Sequence, residues 1–249
     1  MADALSKQLP DPESILTPRP SATAPAVSPG AGGDAAQIRA EDREWTWVPT
    51  VGAVCGDGSP TGFAVSLVAD SPQLLVFFEG GGACGDARTC YAVRSAVHVV
   101  DGYTQETFDE DLQEKAAVQA YWPLTNRVHE ANPFRDASLA YIPYCTGDLH
   151  DGDNVVTYEG APQQTHHVGY RNTRLYLQAL AATLPTASRV VLSGFSAGGF
   201  AAALHRDTAA TAFPRARIDV IDDSGVAFKD APNHDVWKAH LPADCAACA

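Results

Sequence analysis

A serine bracketed by glycines, Gly194-Phe195-Ser196-Ala197-Gly198-Gly199, separates the apolar run Arg189-Val190-Val191-Leu192 from an Ala-rich stretch that reaches about Ala210. The run reads as a strand, and the stretch, which carries Phe200 and Leu204, as a helix. In that context G-x-S-x-G demands a tight turn, because the chain must leave a strand and enter a helix at the serine itself. The glycines let strand and helix approach closely, and the serine takes a strained backbone conformation. Its hydroxyl then stands above the sheet at a helix N-terminus, where a nucleophile is useful. The alternative is a serine that merely caps the helix.

The chain around this turn alternates in the same way. Gly62 to Val68, Leu74-Leu75-Val76-Phe77-Phe78, Ser138 to Ile142 and Arg217 to Ile221 read as strands. The Leu74–Phe78 run is apolar throughout, as in a strand buried on both faces. Val93, Ala96, Val97 and Val100 recur at helical spacing. Residues 166–184 carry Leu177, Leu180, Ala181 and Leu184 on one face and stop before Pro185, which predicts a helix beginning near His166 and His167. Strands alternating with helices predict an α/β fold, a mostly parallel sheet with helices on both faces, whose ligands bind at the carboxyl ends of the strands.

One strand end carries a second glycine feature, Glu79-Gly80-Gly81-Gly82-Ala83. Glycines allow backbone N–H groups to turn toward the negative charge of a tetrahedral intermediate, and one such donor is worth about 3 kcal/mol of barrier. Gly81 and Gly82, with the N–H of Ala197, are the candidate donors. A plain flexible loop is the simpler reading. A phosphate loop fits poorly, since the lysine of a P-loop and the spacing of a dinucleotide fingerprint are both missing.

The 249 residues carry a formal net charge of −13. That balance disfavours nucleic acid, which needs a basic surface to replace phosphate counterions, and docking on an anionic membrane. No stretch approaches the roughly 18 consecutive apolar residues of a spanning helix. Residues 1–38, rich in Pro, Ala, Ser and Gly, hold too few large apolar side chains to offset the entropy of ordering and read as a disordered tail ahead of a folded domain over 39–249. Six cysteines suit an exported protein with up to three disulfides. Short loops favour Cys84–Cys90 and Cys245–Cys248, leaving Cys55–Cys145. Cys245 and Cys248 alternatively form half of a zinc site, but no second ligand pair follows, so no metal is expected. The first 16 residues hold no basic-then-apolar signal segment, so either the signal is missing from this chain or the protein is not secreted by that route.

Taken together, Phe77 to Cys84, Tyr141-Ile142-Pro143-Tyr144-Cys145-Thr146-Gly147-Asp148, His166 to Asn172, Gly194 to Gly199, Asp222-Asp223-Ser224-Gly225 and Leu241 to Cys245 resemble the pectin acetylesterase/Notum family of serine carboxylesterases, in order over about residues 44–249. The resemblance implies an α/β-hydrolase fold, a secreted or periplasmic location, disulfides and no cofactor. It implies removal of an acyl group, acetyl above all, from a carbohydrate or protein hydroxyl. It places the nucleophile at Ser196 and the oxyanion donors at Gly81, Gly82 and Ala197. Notum-like members have tryptophan where this chain has Gly82, which leaves one wall of the acyl pocket open.

A serine hydrolase also needs an acid and a histidine, which follow the nucleophile in this fold. Only 53 residues follow Ser196. The expectation is a chain truncated at its C-terminus that lacks the last strands and both partners. The alternative is an internal triad drawn from Asp222, Asp223, His234 and His240. His205 lies nine residues along the helix, too far from Ser196 at ~1.5 Å per residue. His166 and His167 line the mouth of the site or are simply solvated. Asp148 to Asp153 reads as a solvated turn; calcium is conceivable, but the spacing is not that of an EF-hand. Tyr121 and Trp122 either stack on a sugar or form a local core. Three functions remain in play: a serine esterase acting on an acylated carbohydrate, a non-catalytic relative that keeps only a binding cleft, and a peptidase or thioesterase. The acidic surface disfavours a polyanion such as pectin against a neutral acetylated glycan.

Overall fold

The structure is a computed structural model, and it describes residues 37–118 and 124–225. His234, His240, Cys245, Cys248, Tyr121 and Trp122 lie outside the described residues, so the expectations placed on them are not addressed. The described residues form eight strands: β1 (Trp45–Val54), β2 (Pro60–Ser66), β3 (Gln73–Phe78), β4 (Ser138–Ile142), β5 (Asn154–Val156), β6 (Thr165–His167), β7 (Arg189–Phe195) and β8 (Arg217–Asp223). Four α-helices accompany them: α1 (Gln105–Val118), α2 (Gly169–Thr183), α3 (Ala197–Leu204) and α4 (Arg206–Ala212).

Six strands form one sheet in the order β1-β2-β4-β3-β7-β8. The inner pairs β4–β3, β3–β7 and β7–β8 are parallel, while β1–β2 and β2–β4 are antiparallel. Period-two alternation divides the apolar runs between the two faces. Leu74, Val76, Phe78, Val190 and Leu192 point to the face covered by α2, α3 and α4, where they meet Tyr176, Leu177, Leu180, Ala201 and Ala202. Leu75, Phe77, Leu139, Tyr141 and Val191 point to the other face and meet Phe134, Tyr103 and Phe108 from the long connection between β3 and β4. Both faces of the parallel strands are therefore dry, which explains why β3 carries no polar residue after Gln73. No helix among the described residues is long and apolar enough to cross a membrane.

Several boundaries differ from the sequence reading. Ile38, assigned to the disordered tail, is buried in the main core, and its N–H donates to Thr183 Oγ1 at 2.9 Å. Residues 93–100 are not helical. A single π-helical turn over Arg88–Ala92 precedes them, Val93 and Val97 are exposed, and Ala96 bridges instead to Gly82. Helix α2 starts at Gly169, because His166 and His167 pair with Asn154 and Val155 as the short strand β6. The helix after Ser196 breaks at His205 into α3 and α4.

Two of the expected disulfides are present. Cys55–Cys145 ties the loop after β1 to the loop after β4, and Cys84–Cys90 closes a small ring directly after the glycine run. His167 offers a nitrogen near the sulfurs of Cys84 and Cys90. Those sulfurs are bonded to each other, however, and are not available as thiolate ligands.

Candidate active site

The register of the sheet brings the two glycine features together. Phe78 at the end of β3 pairs with Gly194 of β7, so Gly80–Gly82 emerge beside Ser196. The packing explains the glycines of the turn. A Cβ at Gly198 would stand 2.1 Å from the Phe78 carbonyl oxygen, and one at Gly194 would stand 2.3 Å from the carbonyl oxygen of Gly198. Strand β3, strand β7 and helix α3 thus meet backbone to backbone. Ser196 itself has φ 53° and ψ −121°, a region that non-glycine residues rarely occupy, and its side chain makes no capping hydrogen bond. The helix-capping alternative is therefore not what this serine does. Its N–H donates to the Asp223 carbonyl at 2.8 Å, which joins the turn to the end of β8.

Opposite the serine, Gly82 has φ +79°, and a Cβ there would lie 2.0 Å from the Ser95 carbonyl oxygen. Position 82 in this conformation abuts backbone and admits no side chain. The loop is fixed by Val97 N–H donating to the Gly81 carbonyl at 3.0 Å. Among the described residues the N–H groups of Gly81, Gly82 and Ala197 take no hydrogen-bond partner. Those three donors, one of them at a helix N-terminus, can receive a developing oxyanion.

Two of the candidate acids also reach this corner. Asp222 Oδ1 accepts from the Gly225 N–H at 2.7 Å, and Asp223 Oδ1 accepts from the Ser224 hydroxyl at 2.9 Å. Both side chains thus serve their own turn. The Ser196 hydroxyl has no hydrogen-bond partner among the described residues. His205 sits at the far end of α3, buried between Phe78 and Tyr170, with ring centroids 5.7 and 5.6 Å away.

Sequence reasoning missed the buried polar layer behind the glycine loop. The segment expected to be a solvated turn is core. Asp148, His150 and Asp151 are 0%, 2% and 4% exposed. Asp148 accepts from Thr146 Oγ1 at 2.6 Å, from the His150 N–H at 3.1 Å and from the Gly169 N–H that opens α2 at 2.8 Å. With these donors on its oxygens it acts as an anchor, and the calcium alternative has no support in this geometry. Burial, with Asp148 beside it, pushes Asp151 up to about 8, so Asp151 is protonated at neutral pH. Burial lowers His150 to about 3 and His205 to about 4, and both are neutral. His167 is also lowered by burial; its Nδ1 donates to the Thr146 carbonyl and its Nε2 meets the Tyr158 hydroxyl. His167 is buried, whereas His166 is half-buried, its backbone N–H donating to the Gly56 carbonyl at 2.8 Å.

Glu79, the first residue of the glycine run, is buried with its carboxylate accepting from the Tyr144 N–H at 3.0 Å. The Tyr141 hydroxyl also bonds it, Tyr103 bonds Tyr141, and Tyr103 donates to Asp111 at 2.6 Å. A signal for this layer was present in the sequence, a glutamate ending an otherwise apolar strand. Its partners come from residues 62 and 65 positions away, beyond any local pattern.

A serine on a strand–turn–helix junction, facing a glycine loop from the neighbouring parallel strand, is the arrangement of α/β-hydrolase-like proteins. Comparison with known proteins agrees. The family model described as Pectinacetylesterase matches residues 37–241, and the chain belongs to that family. Among curated relatives, pectin acetylesterase 11 of Arabidopsis thaliana is 27% identical over 182 residues, covering 70% of this chain and 42% of the relative. Palmitoleoyl-protein carboxylesterase notum1' of Xenopus laevis is 26% identical over 190 residues, covering 69% and 34%. The human palmitoleoyl-protein carboxylesterase NOTUM is 23% identical over 207 residues, covering 76% and 37%. The chain therefore spans less than half the length of these relatives.

Proposed function

We propose that this chain supplies the nucleophile and the oxyanion donors of a serine carboxylesterase that removes an acyl group, acetyl above all, from a carbohydrate or similar hydroxyl. The observation that carries the reading is the strained Ser196 beside the N–H groups of Gly81, Gly82 and Ala197, which have no partner among the described residues. Ser196 Oγ attacks the acyl carbonyl carbon, its proton passes to a base, and the N–H groups hold the oxyanion. Collapse expels the sugar hydroxyl, and water then releases the acid from the acyl-serine. The two disulfides support an oxidising location outside the cytoplasm. The names of the relatives favour ester substrates over peptides.

Among the described residues no base stands beside the Ser196 hydroxyl, which favours a second reading, a relative that keeps the cleft without the chemistry. Fluorophosphonate labelling of the full chain, located by peptide mass and repeated on Ser196→Ala, separates the two. The esterase reading expects label on Ser196 that is lost in the variant. Its loss in His234→Ala or His240→Ala would identify the base. A folded chain that takes no label supports the binding reading.

A further inference from the structure

The nucleophile helix and the glycine loop are joined by two histidines in series. The His205 Nε2–H, at the C-terminal end of α3, donates to the His150 carbonyl at 2.7 Å. The His150 Nε2–H in turn donates to the Glu79 carbonyl at 2.8 Å, one residue before Gly80. Both acceptors are carbonyls, so each Nε2 must carry the proton. All three residues are buried.

The segment that presents His150 is strained for this purpose. Leu149 and His150 have φ +59° and +61°, consecutive left-handed residues without glycine. Such a conformation persists only where its surroundings hold it. Here the Leu149 N–H donates to the Tyr144 hydroxyl at 2.9 Å and the His150 N–H donates to Asp148. The imidazole of His150 then packs between Tyr144 and Phe78, with centroids 4.6 and 5.4 Å away. A histidine that only filled core would not need a strained backbone or a proton aimed at the carbonyl that starts the glycine loop.

We infer that His150, backed by His205, is a positioning residue that sets the Gly81 and Gly82 N–H groups against the nucleophile helix by holding the Glu79 carbonyl. This rests on the esterase reading for its catalytic consequence, but the anchoring itself does not. Donors of this kind act only when aimed at the oxyanion, so a loosened loop reduces turnover more than substrate binding.

The test compares His150→Phe, which keeps the ring and loses the proton, with His150→Gln, whose amide can reach the same carbonyl. Full-length proteins are assayed with p-nitrophenyl acetate and for fluorophosphonate labelling, and hydrogen exchange is followed at Val97, whose N–H bonds the Gly81 carbonyl. The expectation for His150→Phe is a kcat lowered by roughly tenfold or more with KM within about twofold, labelling slowed in step, and faster Val97 exchange. His150→Gln recovers most of each. Equal losses in the two variants would assign His150 to packing alone and overturn the inference, as would wild-type kcat and exchange in His150→Phe. An inactive, unlabelled wild type sinks the esterase reading separately, and Val97 exchange then decides the anchoring. Should His150→Phe not fold, His205→Phe breaks the same series from its other end, and unchanged Val97 exchange there counts against it.

Discussion

The strained turn at Ser196 needs small neighbours, and those neighbours are adjacent in sequence, so the turn itself is a local property. Gly198→Ala tests that reasoning. A Cβ 2.1 Å from the Phe78 carbonyl oxygen forces β3 and α3 apart. The expected cost is about 2–3 kcal/mol in urea unfolding, with loss of fluorophosphonate reactivity. A stable and reactive Gly198→Ala would mean that the three elements are not in backbone contact. The buried layer of Asp148, His150, Asp151 and Glu79 was not legible. An acid-rich segment reads as solvated by composition, and only long-range donors such as Gly169 N–H and Tyr144 N–H make its burial affordable.

At the level of elements, the four parallel strands were recoverable because each carries a short apolar run: Leu74–Phe78 in β3, Leu139–Ile142 in β4, Val190–Leu192 in β7, and Ile218, Val220 and Ile221 in β8. Strands β5 and β6 were missed because three residues are too few to show a periodicity. The false helix at 93–100 shows tertiary pairing overriding spacing, since Ala96 is held at Gly82 and the exposed valines gain nothing from a helical face. Of the disulfides, Cys55–Cys145 spans 90 residues and Cys84–Cys90 only 6. Chain-entropy arguments assign about 4–5 kcal/mol to the first and about 2 kcal/mol to the second. Paired Cys→Ala variants, compared by denaturant midpoint, should show that order. The reverse order would mean that the small ring carries native-state interactions beyond closure.

For the molecule as a whole, the buried titrating groups shape its pH range. His150 and His205 are depressed, so unfolded chains bind protons below about 6.5 that the native protein refuses, and stability falls as pH drops toward their folded values of about 3 and 4. Asp151 is raised, so its contribution is intact below about 4 and is lost as pH rises to about 8. Below 6.5 two histidines outweigh one aspartate, and above it the aspartate acts alone. Thermal unfolding should therefore peak near pH 6.5, and Asp151→Asn should flatten the decline between pH 6.5 and 8 and steepen the fall between pH 6.5 and about 4. An unchanged alkaline decline in that variant would remove Asp151 from the account. The strand order has a consequence of another kind. The Ser196 turn and the glycine loop leave the ends of β7 and β3, neighbouring strands of the sheet, and the glycine loop is the first stretch of the long β3–β4 connection. A lengthened or shortened connection is thus tolerated beyond Val97, whereas a change between Gly82 and Val97 shifts the glycine loop, because the Val97 N–H holds the Gly81 carbonyl.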